Sequence, residues 1–146
     1  MKSLEIQQTT QKLIDRGKQL RQEEKLDAAV STLQLAIESD DNSYEAYHFL
    51  GETLAQQDKL DAAISYYHQA IEINPDYFWS YHCLANVYFW QGKIERAVFY
   101  YQKAIKLEPN LAAAHKSLGD ALAQLGRIAE ASEAYRLALK INPEVV

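Results

Sequence analysis

The chain has 146 residues, of which 48% are hydrophobic, and a formal net charge of −5. This composition argues against a disordered chain, and the mildly acidic balance argues against nucleic-acid binding, which normally needs a basic patch. The sequence has no run of about 18 apolar residues and no apolar core near its N-terminus, so neither a membrane span nor a signal peptide is predicted. The single cysteine, Cys83, excludes an intrachain disulfide and favours a reducing, cytoplasmic compartment.

A 34-residue period divides the chain into units 10–43, 44–77, 78–111 and 112–145. Alanines recur at this spacing, and so do the prolines that close the last three units. The alanines are Ala29, Ala63, Ala97 and Ala131, and the prolines are Pro75, Pro109 and Pro143. A fixed period of this length is typical of repeat proteins, in which each unit buries its apolar face against its neighbours.

The first unit departs most from the common pattern, as a terminal repeat is expected to do. It has Arg16 where the other units have leucine, and Asp41 where they have proline. Residues 1–9 are expected to lengthen its first helix, with Ser3 as a candidate cap. Residues 39–43 then link the first unit to the second.

The third unit shows the helical pattern most clearly. Tyr81, Leu84, Ala85 and Tyr88 follow the i, i+3, i+4, i+7 spacing of one helix face. A second helix is predicted over 94–107. Small residues stand at one equivalent position of the first helices, where they would let paired helices approach closely: Gly51, Ala85 and Gly119.

Turn and stop signals separate the predicted helices. The Gln91-Gly92-Lys93 segment interrupts the apolar pattern, and Leu125-Gly126-Arg127 does so one unit later. Proline ends each second helix because it lacks an amide donor and crowds the preceding turn. The sequence therefore predicts a helix–turn–helix in every unit.

The fourth unit is rich in alanine and leaves apolar residues on its final helix, among them Leu137 and Ile141. A further unit would normally cover such a face. Two explanations stay open: the chain is part of a longer protein, which we favour, or it associates end to end with another copy.

This 34-residue pattern resembles the tetratricopeptide repeat. The residues that carry the resemblance in the third unit are Tyr81, Leu84, Ala85, Tyr88, Ala97, Tyr101, Ala104 and Pro109. The resemblance implies an all-α, right-handed superhelical solenoid of four antiparallel helix pairs that forms a single domain over residues 1–146. It further implies a non-enzymatic protein–protein interaction module that binds a peptide or a helical segment in its concave groove.

Aromatic residues are concentrated in the middle of the chain, and they indicate where such a groove would act. Fifteen of the sixteen aromatic residues lie between Tyr44 and Tyr101. On a helical wheel, Trp79 and Trp90 fall opposite the core face of the helix over 78–91, and Phe89 falls on its flank. Exposed aromatic clusters mark interaction sites, so these three residues are predicted anchors. Packing of the tryptophans on neighbouring units is the alternative.

Polar residues repeat along the same predicted face. They are predicted to fix the register of a bound segment, and the resemblance implies that an asparagine such as Asn86 can bind its backbone. A solvated polar face with weak i, i+4 pairs is the alternative. The remaining predicted contact residues are His48, Glu52, His82 and Lys116.

No cofactor, metal or catalytic centre is predicted. His48, His82 and Glu52 are metal-ligating types, but no HExxH or paired-cysteine spacing is present. In sequence, Cys83 has no nucleophile–base arrangement around it. Some members of the family that this chain resembles hold the acidic C-terminal tail of a partner protein with cationic side chains, and these cations are missing at the equivalent positions here. A regulatory or substrate-recruiting segment of a larger enzyme remains the alternative function.

Overall fold

The computed structural model describes residues 3–145, and these form eight α-helices with no strand among them. In chain order the helices are α1 (Leu4–Gln22), α2 (Leu26–Ser39), α3 (Tyr44–Gln56), α4 (Leu60–Ile73), α5 (Phe78–Trp90), α6 (Ile94–Leu107), α7 (Ala112–Gln124) and α8 (Ile128–Ile141). The predictions of an all-α fold and of one helix pair per repeat are confirmed. The helices form two compact units, one ending at Pro75 and the other starting at Asp76.

Local sequence explains where the helices begin and end. Ser3 caps α1, as predicted, with its hydroxyl oxygen accepting a hydrogen bond from the Ile6 amide at 3.2 Å. Ser43 caps α3 in the same way. The helices α4, α6 and α8 each end two residues before a proline, in agreement with the sequence prediction.

The turn inside each pair uses one residue in the left-handed region. Gly92 and Gly126 adopt φ values of +78° and +76°. Glu24 and Asp58 occupy the same turn position in the first two pairs, with φ values of +60° and +63°. Glycine reaches this conformation without steric cost, so the Gly signal visible in the last two units marks a turn that all four pairs share.

In the compact unit that ends at Pro75, α1 packs on α2 and α3 packs on α4, while α2 and α1 also contact α3. Ala63 is fully buried, as expected for a residue where helices touch. A Cβ atom placed on Gly51 would lie 3.0 Å from the Tyr67 ring. The small residue therefore permits the close approach that the sequence predicted.

The compact unit that starts at Asp76 repeats this arrangement of helices. Its helix α5 packs on α6, α7 packs on α8, and α7 is also contacted by α6 and α5. Ala97 and Ala104 are fully buried. A Cβ atom on Gly119 would come within 2.7 Å of the Tyr135 ring. The packing brings the first helices of the two repeats, α5 and α7, side by side.

Candidate functional site

Helix α5 is apolar on nearly every side, and its sequence FWSYHCLANVYFW contains no Lys, Arg, Asp or Glu. Its core face includes Leu84 and Ala85, which are fully buried. Trp79 and Trp90, on the predicted outer face, are 38% and 60% exposed. The expectation that both tryptophans are at least partly exposed is confirmed. A helix without charges that nevertheless presents two tryptophans at the surface is unusual for a solvent-facing element.

A small cavity of about 140 Å³ lies where α5, α6 and α7 meet, and we call it the α5–α7 pocket. It is lined by Asn86, Phe89, Trp90, Tyr101, Ser117 and Asp120. Three of the sequence-predicted contact residues (Asn86, Phe89 and Trp90) therefore lie together on one concavity. Trp79 is not part of this lining.

Two tyrosine hydroxyl groups hold the polar side chains of this pocket. The Tyr101 hydroxyl donates to Asn86 Oδ1 and the Tyr135 hydroxyl donates to Asp120 Oδ1, each at 2.5 Å. In both pairs the tyrosine follows its acceptor by fifteen residues. This spacing connects a first helix to the second helix of the same repeat, so one packing contact is used twice.

The ionisation of both tyrosines supports their role as donors. Burial raises the pKa of Tyr101, with a further increase from the charge of Asp120, while a hydrogen bond with Ser117 acts in the opposite direction. Burial, together with the hydrogen bond to Asp120, raises the pKa of Tyr135 to about 12. Both hydroxyl groups are protonated at neutral pH. Because Asn86 Oδ1 accepts from Tyr101, its Nδ2 group is the part of the amide left to donate.

Lys116 lies next to the pocket and forms an ion pair with Asp120, with Nζ 3.1 Å from Oδ2. The two residues are one turn apart on α7, which places them on one helix face. Both side chains are more than a third exposed, so solvent screens this pair.

His82 lies beneath the surface. It is only 8% exposed, and its ring contacts the Trp79 ring edge-on with 5.7 Å between centroids. Its Nδ1 atom is buried without a hydrogen-bond partner in the described residues. Burial lowers the pKa of His82 to about 4, so the ring is neutral at physiological pH. This position suits a residue that supports Trp79 from below.

The compact unit that ends at Pro75 contains the other predicted pair, His48 and Glu52, on α3. His48 is buried, and its Nε2 lies 3.3 Å from Glu52 Oε1. Arg21 Nη2 approaches the second oxygen of Glu52 at 3.0 Å. On the same unit, Lys18 Nζ lies 4.6 Å from the centre of the Phe49 ring. Glu52 is therefore already paired with a cation of α1.

Sequence reasoning did not select Tyr101 or Ser117 as a site residue. Tyr101 matched the core pattern of the repeat, and its hydroxyl gave no separate signal. The fifteen-residue spacing, shared by Asn86 with Tyr101 and by Asp120 with Tyr135, is the signal that could have identified the network.

Comparison with known proteins agrees with this architecture. The family model described as TPR repeat matches residues 51–92 and 85–126, and a model described as Tetratricopeptide repeat matches 112–145. The chain belongs to the tetratricopeptide-repeat family. Members of this family are helical scaffolds for protein–protein interaction, and the fold assigns this chain to that class.

Solved structures provide a second comparison. A crystal structure of MamA is similar over 93% of this chain and 80% of its own length, with a TM-score of 0.86 and 29% identity. Another crystal structure of MamA covers 94% of this chain and 78% of its own length, with a TM-score of 0.83 and 28% identity. None of the curated proteins matches the chain significantly in sequence.

No helix within residues 3–145 is both long enough and apolar enough to cross a membrane.

Proposed function

We propose that this tetratricopeptide-repeat chain forms one non-enzymatic domain that binds a peptide or helical segment of another protein in its concave groove. The supporting observation is the exposure of Trp79 and Trp90 on a helix without charged residues, next to the α5–α7 pocket. Rigid, amphipathic aromatic side chains dominate the binding energy of protein interfaces.

The polar residues of the pocket complement this apolar surface. Asn86 offers amide hydrogens and Asp120 offers carboxylate oxygens, and both side chains are held in place by tyrosine hydroxyl groups. Donors and acceptors that are already oriented lose little conformational entropy on binding. Trp90 would anchor a bound segment, while Asn86 and Lys116 would set its register.

The test is a selection of random peptides displayed on phage against the intact chain. Selected peptides are expected to bind the Trp90→Ala variant at least about tenfold more weakly, because an aromatic anchor is removed. Phe99→Ala is the matched control, because Phe99 is also an exposed aromatic residue but lies on α6 outside the pocket lining. The free energy of unfolding of each variant is expected to lie within about 1 kcal/mol of that of the parent, as is usual for surface positions.

Two outcomes would contradict the proposed groove. One is equal loss of binding in the two variants, and the other is no selected peptide at all. A loss of about 3–5 kcal/mol in folding stability for Trp90→Ala would instead identify the residue as part of the core.

We also propose that the chain can associate end to end through α8. Ile128 and Leu139 of α8 are 62% and 50% exposed. The equivalent residues of α6, Ile94 and Ile105, are only partly exposed where α7 packs on that helix. The apolar face that α7 covers on α6 thus remains uncovered on α8 in the described residues. A second copy could supply the missing contact.

A cytoplasmic location is proposed as well, supported by the use of a single cysteine. Cell fractionation with antibody detection would test it, and recovery in a membrane or extracellular fraction would contradict it.

A further inference from the structure

The α5–α7 pocket has a distinctive chemical composition. Three aromatic rings line it, from Phe89, Trp90 and Tyr101, together with the amide of Asn86 and the hydroxyl of Ser117. Asp120 is the one lining residue with a formal charge. Lys116 pairs with Asp120 but is not part of the lining. The inside of the pocket is therefore aromatic with a single negative charge.

Asp120 keeps capacity for another donor. Its Oδ1 accepts from Tyr135 and its Oδ2 accepts from Lys116. A carboxylate offers about four lone-pair sites, so roughly two remain. The Tyr135 contact fixes the carboxylate, whereas the partly exposed i, i+4 contact with Lys116 is screened by solvent and more easily exchanged. The carboxylate is thus both oriented and accessible.

The aromatic residues favour a cation as the occupant. Rings of tryptophan, tyrosine and phenylalanine attract cations over their faces, and tryptophan does so most strongly. Trp90 is exposed at the pocket, while Tyr101 is buried and lies deeper. The cavity volume of about 140 Å³ suits the end of one long side chain.

We propose that the α5–α7 pocket binds an arginine side chain of the partner segment. Arginine fits better than lysine because its planar guanidinium stacks on an indole ring while two of its N–H groups donate to one carboxylate. The inference rests on the proposed function, which it deepens by naming the chemistry of one anchor residue. On binding, the guanidinium takes the place of the Lys116 ammonium at Asp120.

Because arginine would displace Lys116 from Asp120, substitutions of these two residues should change the affinity for arginine in opposite directions. Lys116 repels an incoming cation and competes for Asp120 Oδ2. Lys116→Gln should therefore bind arginine several-fold more tightly, and Asp120→Asn about tenfold more weakly. Asparagine keeps an oxygen acceptor for the Tyr135 hydroxyl, so Asp120→Asn removes the charge with little change of shape. Glu130→Gln is the control, because Glu130 is an exposed acid on α8 that pairs with Arg127.

The experiment is a titration of the intact, ¹⁵N-labelled chain with N-acetyl-arginine N′-methylamide, observed through the indole N–H signal of Trp90. The citrulline analogue has nearly the same shape without the charge and serves as the matched probe. The glutamate and leucine analogues test whether the pocket instead prefers an anion near Lys116 or an apolar side chain. Saturable shifts with arginine only, weakened by Asp120→Asn and strengthened by Lys116→Gln, are expected.

The inference is overturned if citrulline, glutamate or leucine shifts the Trp90 signal as strongly as arginine, or if Asp120→Asn has no more effect than Glu130→Gln. The phage selection separates this failure from failure of the proposed function. Selected peptides that need Trp90 but contain no preferred arginine would leave groove binding intact and reject the arginine pocket. Arginine binding without any selected peptide would reject the groove as a peptide site.

Discussion

At the residue scale, the orientation of the polar side chains in the α5–α7 pocket depends on two tyrosines outside helices α5 and α7. Asn86 and Asp120 are presented at the pocket, but Tyr101 and Tyr135 hold them from the second helices. Because both tyrosines have a raised pKa, they remain donors through the physiological range. The orientation of both polar side chains is therefore set by the packing within each helix pair.

His82 gives the clearest pH-dependent prediction. Its folded-state pKa of about 4 lies below the usual 6.5 because the ring is buried. The unfolded chain thus binds more protons between these values, so stability should fall as pH drops from 6.5 towards 4. Between pH 7 and 4.5, His82 should account for a loss of about 2 kcal/mol in unfolding free energy.

Urea unfolding of the parent chain and of His82→Leu at a series of pH values measures this contribution as the difference between them. Carboxylates titrate in both proteins and cancel in the comparison. Parallel pH profiles for the two proteins would show that His82 is not buried in its neutral form.

At the scale of the elements, each helix pair depends on alanine where its two helices meet. Ala97 of α6 is fully buried, whereas Lys103 on the same helix is exposed with its ammonium 5.3 Å from the centre of the Phe99 ring. The period of the sequence placed Ala97 in the contact and Lys103 outside it.

Ala97→Leu should therefore overpack the contact and reduce unfolding free energy by roughly 1–3 kcal/mol. Lys103→Leu, which adds the same side chain to the exposed face, should change it by less than about 0.5 kcal/mol. Chemical denaturation of both variants provides the comparison. Similar effects at the two positions would mean that the helix faces are assigned wrongly.

For the whole molecule, the exposed face of α8 determines the expected behaviour at high concentration. Light scattering of the parent chain should show a mass that rises with concentration if copies associate through this face. Leu139→Lys should suppress the rise, because a charge would have to be buried without a partner. Leu35→Lys is the control, since Leu35 is similarly exposed on α2.

A constant single-chain mass for the parent would contradict end-to-end association. A rise in mass that Leu139→Lys leaves unchanged would assign self-association to another surface.

The sequence by itself determined the repeated helix pairs, their turns and the exposure of Trp79 and Trp90. These features follow from local rules: the helical spacing of apolar residues, the stop signals at Gly92 and Pro109, and the wheel position of each residue. A period of 34 residues then repeats every local feature, which makes the pattern unambiguous.

Only the tertiary structure decided which outward-pointing residues stay accessible and which meet. His82 lies on the flank of α5 by its wheel angle, yet it is 8% exposed because aromatic rings pack against it. The pocket joins Asn86 of α5, Tyr101 of α6 and Asp120 of α7, which are far apart in sequence. A helical wheel gives the direction of a side chain, whereas burial and contact depend on what the neighbouring helices place in that direction.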